Sequence, residues 1–373
     1  MPLFSDLSVD VSDPYLARAL ALAERGRGTT SPNPMVGCVV VRDGQVVGEG
    51  YHERAGGPHA EVVALEAAGE RARGATVYVT LEPCNHVGRT PPCVDLLLAR
   101  GVSRVVIGMP DPDPSVTGGG AAALEAAGVR VEWAAETGPF ERLNEAWLKR
   151  LRTGLPFVTA KTALTLDGRP ALRAGSRSRI TGPGGAQVTM ALRRRSTAVA
   201  VGARTLAIDD PMLTVRDADG TPATRQPLRV VLGRTSVPDP ESRVLSDSLG
   251  PVLVVVSDAV DEGAAQALRA RGLPLVTYPV ADGLAGALRA LARQGVDDVL
   301  VEAGPTLLGA LWSASLIDRL VVVVAGGMGG VHAPAIDVAA DARDGALVPQ
   351  MRAVACDVAG DDGVMVFEPL VRG

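Results

Sequence analysis

The sequence predicts an α/β protein of two domains, and three observations carry that reading. At 373 residues the chain exceeds one ordinary core, on a prior of roughly 100–200 residues per domain. Runs of β-branched residues alternate along it with stretches of helical periodicity, the pattern of layered, mainly parallel sheets. A helical stretch over 141–154, ended by Gly154 and followed by Leu155-Pro156, then restarts the pattern midway. Composition is that of a folded chain, 47% hydrophobic and 21% charged, which excludes wholesale disorder. A net charge of −5 provides no basic field for nucleic acid or anionic lipid, and 3% aromatics is too few for a base-stacking platform.

Four cysteines, Cys38, Cys84, Cys93 and Cys356, are too few for a disulfide framework. Cys38 and Cys356 lie in apolar, strand-like runs and are expected to pack in cores. The N-terminus shows no basic leader followed by an apolar stretch, and no apolar run approaches the roughly 20 residues that span a bilayer. The expectation is a soluble, cytoplasmic protein.

Asp13 and Pro14 open the first helix, over 13–25, as N-cap and first helical residue. Strands at 36–41 and 45–50 flank Arg42-Asp43-Gly44, a short hairpin signal. A helix then starts at His59, followed by a strand at 76–82, a cysteine-containing loop, a helix at 93–100 and a strand at 103–109. A helix at 119–127 and a strand at 129–133 complete a layered domain placed at 1–148, and the second domain is placed at 155–373. There, 157–163, 197–202, 228–232, 252–256, 298–302, 319–325 and 363–367 read as strands, and the long loops at 167–185 and 203–226 are where function is expected.

The strongest chemical signal is His59-Ala60-Glu61, followed by Glu82-Pro83-Cys84 and then Cys93. One His and two Cys make a three-ligand set for catalytic zinc, with a fourth position left for water. His59 and Cys93 each start a helix and Cys84 follows a strand, and in a parallel α/β unit such ends share one sheet edge. Glu61, at the helix start beside His59, has the place of the non-ligating proton shuttle of zinc nucleobase deaminases. A structural zinc site with His86 as fourth ligand is the competing reading. In the second half, Val299 to Gly309 reads as a buried strand ending at Glu302, then a Gly-Pro turn opening a helix whose free N–H groups suit a phosphate. A plain strand–helix turn explains the same residues. Asp209-Asp210-Pro211 with Arg216 reads equally as a solvated turn, and Arg193-Arg194-Arg195 as an exposed basic face.

Thr80-Leu-Glu-Pro-Cys-Asn-His-Val-Gly-Arg-Thr-Pro-Pro-Cys93, with Pro32-Asn-Pro-Met-Val-Gly37 upstream, closely resembles the RibD-type family of bifunctional riboflavin-biosynthesis deaminase/reductases. The resemblance continues through Thr153–Lys161, Leu166-Asp-Gly-Arg169, Thr205–Arg216 and Val301–Leu307. It implies a three-layer, cytidine-deaminase-like N-terminal domain and a C-terminal domain similar in fold to dihydrofolate reductase. The first would remove an amino group from a diamino-ribosylamino-pyrimidinone 5′-phosphate with zinc, and the second would reduce ribosyl to ribityl with NADPH. Carried over by position, Asn33, His52, His86 and Arg89 would hold the deaminase substrate. Ala163, Arg179, Thr205, Asp209 and the turn Gly304, Pro305, Thr306, Leu307, Leu308, Gly309 and Ala310 would contact NADPH, while Arg177, Leu213, Arg216 and Glu302 would hold the second substrate.

Three segments depart from the family pattern. A Ser-x-Trp-Ile-Thr segment is Arg177-Ser-Arg-Ile-Thr181 here, which puts Arg at the Ser and Trp positions. An Ala-Pro-Lys-Leu-Leu-Gly segment is Ala325-Gly-Gly-Met-Gly-Gly330, and an Asp-Pro-Asn-Pro segment is Asp111-Pro-Asp-Pro114. These leave open a second reading, a deaminase whose other half is a degenerate structural or partner-binding domain. The expected partner is a small phosphorylated pyrimidine, with a homo-oligomer expected and neither nucleic acid nor membrane involved.

Overall fold

The structure, a computed structural model, describes residues 11–86, 91–113, 119–336 and 351–370. The chain divides into two compact units, Met1–Thr153 and Gly154–Gly373. Among the described residues, no helix is long and apolar enough to cross a membrane.

The first unit begins with α1 (Pro14–Glu24), whose N-terminal N–H groups at Tyr15 and Leu16 donate to the Asp13 carboxylate at 2.8 and 3.0 Å. The hairpin β1 (Gly37–Arg42) and β2 (Gln45–Tyr51) follows, then α2 (Ala60–Ala68) and β3 (Thr76–Val79). Next come α3 (Cys93–Ala99), β4 (Arg104–Ile107), α4 (Gly120–Ala126) and β5 (Arg130–Trp133). The five strands among the described residues run β2-β1-β3-β4-β5, antiparallel through the hairpin and the β1–β3 pair, then parallel. Alternate strand residues feed two cores. Cys38, Val40, Val77, Val79 and Ile107 face Ala64, Leu97 and Leu124 of α2–α4, while Val39, Val41, Tyr78 and Val106 face α1 and the C-terminal helices through Leu16, Phe140 and Trp147. The result is three layers.

The predicted single helix over 141–154 is two helices, α5 (Gly138–Leu143) and α6 (Glu145–Thr153). Between them Asn144 departs from helical geometry, at φ −102° and ψ 19°, and its side-chain amide accepts from Met35 N at 2.8 Å and donates to Met35 O at 3.0 Å. That pair of bonds pins the segment just before β1.

The second unit contains β6 (Phe157–Leu164), α7 (Pro183–Arg195), β7 (Ala198–Gly202), α8 (Ala203–Asp209), β8 (Leu228–Leu232), α9 (Arg243–Ser246) and β9 (Val252–Ser257). It continues through α10 (Glu262–Ala270), β10 (Leu275–Tyr278), α11 (Gly283–Arg293), β11 (Asp298–Glu302), α12 (Pro305–Ser313), β12 (Arg319–Val324), β13 (Met351–Ala359) and β14 (Asp362–Pro369). Among the described residues its nine strands run β10-β9-β8-β7-β11-β6-β12-β14-β13 and are parallel from β10 to β12. β14 is antiparallel to both its neighbours.

Two strands were not expected, β10 and β13, and both are edge strands. β10 is four residues between Pro274 and Pro279, and β13 has little buried apolar alternation, so neither carries a strong periodic signal. Cys38 is buried as expected, but Cys356 is exposed because it lies on that β13 edge rather than in a core. The loop expected over 203–226 begins with α8, closed by Asp210 in the left-handed region at φ 40°.

The seat of α2 is set by glycine. A Cβ on Gly50 would stand 2.6 Å from Ala60 O and 2.6 Å from Ala64 N, and one on Gly48 would stand 2.2 Å from Ala64 O. Both obstacles are backbone, so the helix itself would have to move. Gly50→Val is expected to destabilise the N-terminal unit by about 1–3 kcal/mol, the usual cost of overpacking. A calorimetric scan checks this, and an unchanged midpoint would show that α2 can shift freely.

Candidate active sites

His59 is the N-cap of α2, in extended conformation at φ −70°, and therefore not bound to the helical register of the residues after it. Its Nδ1 lies 3.3 Å from Cys93 Sγ and 3.6 Å from Cys84 Sγ. The three donor atoms all lie within 4.8 Å of one another. The edge of a tetrahedron with bonds of about 2.0–2.3 Å is about 3.5 Å, so the donor set has the size and chemistry of a three-ligand zinc site. Cys93 opens α3, and its backbone N–H donates to Cys84 Sγ at 3.3 Å. Hydrogen bonding by the Cys93 thiol, aided by the His59 imidazole and that N–H, brings the Cys84 thiol down to about 4 against the effect of burial. Bonding to Cys84 in turn raises the His59 pKa, and the hydrogen bond to Cys84 together with burial pushes the Cys93 thiol up.

Glu61 is buried at 3% exposure in the first turn of α2, close enough to the His-Cys-Cys group for the His59 imidazole to oppose the effect of burial on its carboxyl. Burial raises its pKa, which suits a carboxyl that must hold a proton for part of a cycle. His52 is also buried, donating from Nδ1 to Pro58 O at 2.9 Å. That carbonyl can only accept, so Nε2 is left as the acceptor for Asn33 Nδ2 at 3.2 Å. The His52 and His59 rings meet edge-on at 5.8 Å. Asn33, His52, His59 and Glu61 are thus one cluster. His86 is exposed, on the side of Asp111, whose carboxyl burial pushes up to about 6. Arg89 lies outside the described residues. Glu82 was given no role in the sequence, yet its carboxylate accepts from Asp111 N at 3.2 Å and from Ala121 N of α4 at 3.0 Å, which anchors the segment carrying Cys84.

In the second unit β11 ends at Glu302, opposite Lys161 of β6. Glu302 accepts a paired contact from Arg193 of α7, Nε at 2.5 Å and Nη2 at 2.9 Å, and Arg193 Nη1 donates to Thr214 O at 2.7 Å. Burial would raise the Glu302 pKa, but the Arg193 guanidinium and then Lys161 outweigh it and hold the carboxyl below its ordinary value. Burial lowers the Lys161 pKa, with Glu302 opposing. Arg193 corrects the expectation of an exposed basic face: it is 8% exposed, because the triplet Arg193–Arg195 turns one member inward. Lys161 carried its own signal as a cation within the apolar run of β6.

Thr205 of α8 and Gly304, the N-cap of α12, meet: a Cβ on Gly304 would stand 2.5 Å from Thr205 Oγ1. Gly202, at the end of β7, faces Leu307 in the same way, at 3.4 Å. Two strand ends and two helix starts therefore converge, with the α12 N-terminal N–H groups lacking a side-chain cap. This bare, glycine-lined backbone fits the phosphates of a dinucleotide. Pro305, Thr306 and Leu307 form the first turn of α12, Ala310 lies one turn on, and Leu308 and Gly309 are buried, Leu308 within the core cluster. Asp209 ends α8, where burial raises its pKa and the Arg177 charge opposes. Arg177 and Arg179 are both exposed in the loop before α7. Ala163 lies on β6 opposite Val323 of β12. Leu213 is buried with φ at 55°, and Arg216 donates to Gly220 O at 2.8 Å. The departing glycine segment is tied down, Asp167 accepting from Gly329 N at 2.7 Å and Gly330 N at 2.9 Å.

Residues 11–109 match the cytidine and deoxycytidylate deaminase zinc-binding region, and residues 156–356 match the RibD C-terminal domain. The chain is 44% identical over 320 residues to the riboflavin biosynthesis protein RibD of Escherichia coli K12, covering 83% of this chain and 86% of that one. It is 39% identical over 316 residues to the protein of the same name from Aquifex aeolicus, covering 85% and 87%. Among solved structures, Acinetobacter baumannii RibD superposes with a TM-score of 0.85 at 37% identity, covering 96% of this chain and 98% of that one. A Thermotoga maritima protein described as a diaminohydroxyphosphoribosylaminopyrimidine deaminase/5-amino-6-(5-phosphoribosylamino)uracil reductase superposes at 0.81 with 31% identity, covering 95% and 97%.

Removing Glu302 leaves the buried Arg193 charge uncompensated, so Glu302→Ala is expected to destabilise the second unit by about 3–5 kcal/mol. Because the folded pKa of Glu302 lies below its unfolded value, the wild-type contribution is complete above about pH 4.3 and falls as pH drops through the folded pKa. Denaturant unfolding of wild type and variant at pH 7 and pH 4 checks both points. A pH-independent difference between them would remove the linkage.

Proposed function

The chain belongs to the RibD family of riboflavin biosynthesis enzymes, and on that premise we propose how its residues divide the family's two reactions. The protein is bifunctional: a zinc-dependent deaminase in the first unit and an NADPH-dependent reductase in the second. The observation that carries the first assignment is the convergence of His59, Cys84 and Cys93 with the buried Glu61 close by. The substrate is proposed to be the diamino-ribosylamino-pyrimidinone 5′-phosphate.

His59, Cys84 and Cys93 hold the zinc, which, when bound, lowers the pKa of water toward about 7 and so makes hydroxide available at neutral pH. Glu61 is the proton carrier. Its carboxylate carries the two protons of the water in turn, the first to the ring nitrogen beside the attacked carbon and the second, released as the ring carbonyl forms, to the departing amino nitrogen, which leaves as ammonia. The order is consistent with burial: a carboxyl with a raised pKa accepts a proton readily and still releases it. Asn33 and His52 hold the pyrimidine ring, and the bond that His52 Nδ1 donates to Pro58 O fixes the tautomer that leaves Nε2 as acceptor. His86 and Arg89 are proposed to receive the ribose phosphate.

When bound, NADPH would supply the hydride, and solvent the proton, that turn the ring-opened ribosyl carbonyl into the ribityl alcohol. Thr205, Asp209 and the turn from Gly304 to Ala310 hold the dinucleotide, with Ala163 and Arg179 completing the contact. Glu302, Leu213, Arg216 and Arg177 orient the pyrimidine and its phosphate, since hydride transfer depends chiefly on placing donor and acceptor together. Arg177 and Arg179 are exposed cations, Arg177 near Asp209, and their charge suits a phosphorylated substrate and cofactor.

A coupled assay on the zinc-loaded protein, following ammonia and NADPH oxidation together, tests the division of labour. Ammonia release followed by stoichiometric NADPH consumption is expected. Ammonia without NADPH consumption would remove the reductase assignment. Glu61→Gln is expected to cut deamination by at least about 10²–10⁴-fold while metal analysis still finds zinc. Retained deamination would exclude Glu61 as the carrier. Asp209→Ala is expected to raise the KM for NADPH about tenfold with ammonia release unchanged, and an unaltered KM would remove Asp209 from the cofactor site.

A further inference from the structure

The segment carrying Leu213 and Arg216 belongs to no strand or helix, and its buried peptide groups need partners from outside it. Side chains from two places supply them. Arg229 Nη1 reaches Met212 O at 3.3 Å, Arg193 Nη1 reaches Thr214 O at 2.7 Å, and Arg194 Nη2 reaches Arg216 O at 2.5 Å. Gln226 does more than any of these. Its Oε1 accepts from Val215 N at 2.7 Å, and its Nε2 donates to Val215 O at 2.9 Å and Ala223 O at 2.8 Å. Both oxygens facing Nε2 are carbonyls and can only accept, so the amide orientation is determined. The side chain thus does for Val215 what the peptide of a neighbouring strand would do.

Val215 is the base of a tight hairpin. Ala223 N donates to Val215 O at 3.0 Å, Asp217 N donates to Thr221 O at 2.8 Å, and Arg216 pairs with Pro222. Arg216 therefore projects from a peptide held on one side by Gln226 and on the other by Arg194. Pro227 follows Gln226 and has no N–H of its own, so the clamp at this point is the Gln226 amide.

We propose that Gln226 is a positioning residue for the reductase substrate, aiming the Arg216 guanidinium through its paired bonds to Val215. This rests on the reading of Arg216 as a substrate contact, and the variants below separate the two. Steady-state kinetics of the full-length protein would use 5-amino-6-(5-phosphoribosylamino)uracil and NADPH. Gln226→Met keeps the side-chain length and loses all three bonds. It is expected to raise the KM for the pyrimidine about tenfold, leaving kcat within about twofold and the KM for NADPH and ammonia release unchanged. Gln226→Glu keeps the acceptor for Val215 N and is expected to fall between wild type and Gln226→Met. It provides the same comparison if Gln226→Met does not fold.

Arg216→Ala should raise the same KM at least as far, and the double variant should be no worse than Arg216→Ala alone, because one residue acts through the other. Additive losses, a parallel rise in the KM for NADPH, or an unchanged pyrimidine KM in both Gln226 variants would overturn the proposal while Arg216 keeps its role. An unchanged KM in Arg216→Ala would overturn the substrate reading itself, and the role of Gln226 with it.

Discussion

In both units the residues proposed to carry chemistry cluster where a strand has ended and a helix is about to begin, and this common edge is the constraint on which both sites depend. In the first unit the residues proposed as metal donors come from the N-cap of α2, from the segment after β3 and from the first residue of α3. In the second, Glu302 closes β11, Thr205 follows β7 and Gly304 caps α12. Parallel strands place all their C-terminal ends together, and the helices that follow turn unsatisfied N–H groups toward the same edge. Anions, thiolates and phosphates are favoured there without any dedicated cation.

Burial then decides what those residues can do. Glu61 and Glu302 are both carboxyls in poorly solvated surroundings, yet their protons are treated oppositely. Glu61 has its thiol neighbour and the imidazole to offset desolvation, and its pKa still rises. Glu302 has a two-pronged guanidinium and an ammonium beside it, and its pKa falls. One carboxyl is suited to passing a proton on, the other to remaining an ionised acceptor. The same pair of charges ties Glu302 to the loop that carries Leu213 and Arg216, because Arg193 spans from the carboxylate to Thr214 O.

Much of the first unit was legible in the sequence. Asp13 and Pro14, the Asp43-Gly44 hairpin and the His-x-Glu spacing act through neighbours in the chain, and such signals survive folding. Asn144 did not read as a break, because what holds it is Met35, more than a hundred positions away. The edge strands β10 and β13 were missed for a related reason: an edge strand has fewer buried faces to impress on its sequence, and the exposed Cys356 on β13 followed from that. Arg193 was hidden in a run of three arginines, where only packing distinguishes the member that turns inward.

The sequence by itself determined the α/β alternation, the chemical identity of the metal donors and the membership of the family, because ligand type and spacing are properties of the covalent chain. Tertiary structure alone decided that Glu82 anchors the segment carrying Cys84, that Arg193 and Lys161 surround Glu302, and that Gln226 holds the chain beneath Arg216. Those contacts join separate segments of chain, and no periodicity records them. Each arises from a buried polar group that must find a partner wherever the fold happens to bring one within reach.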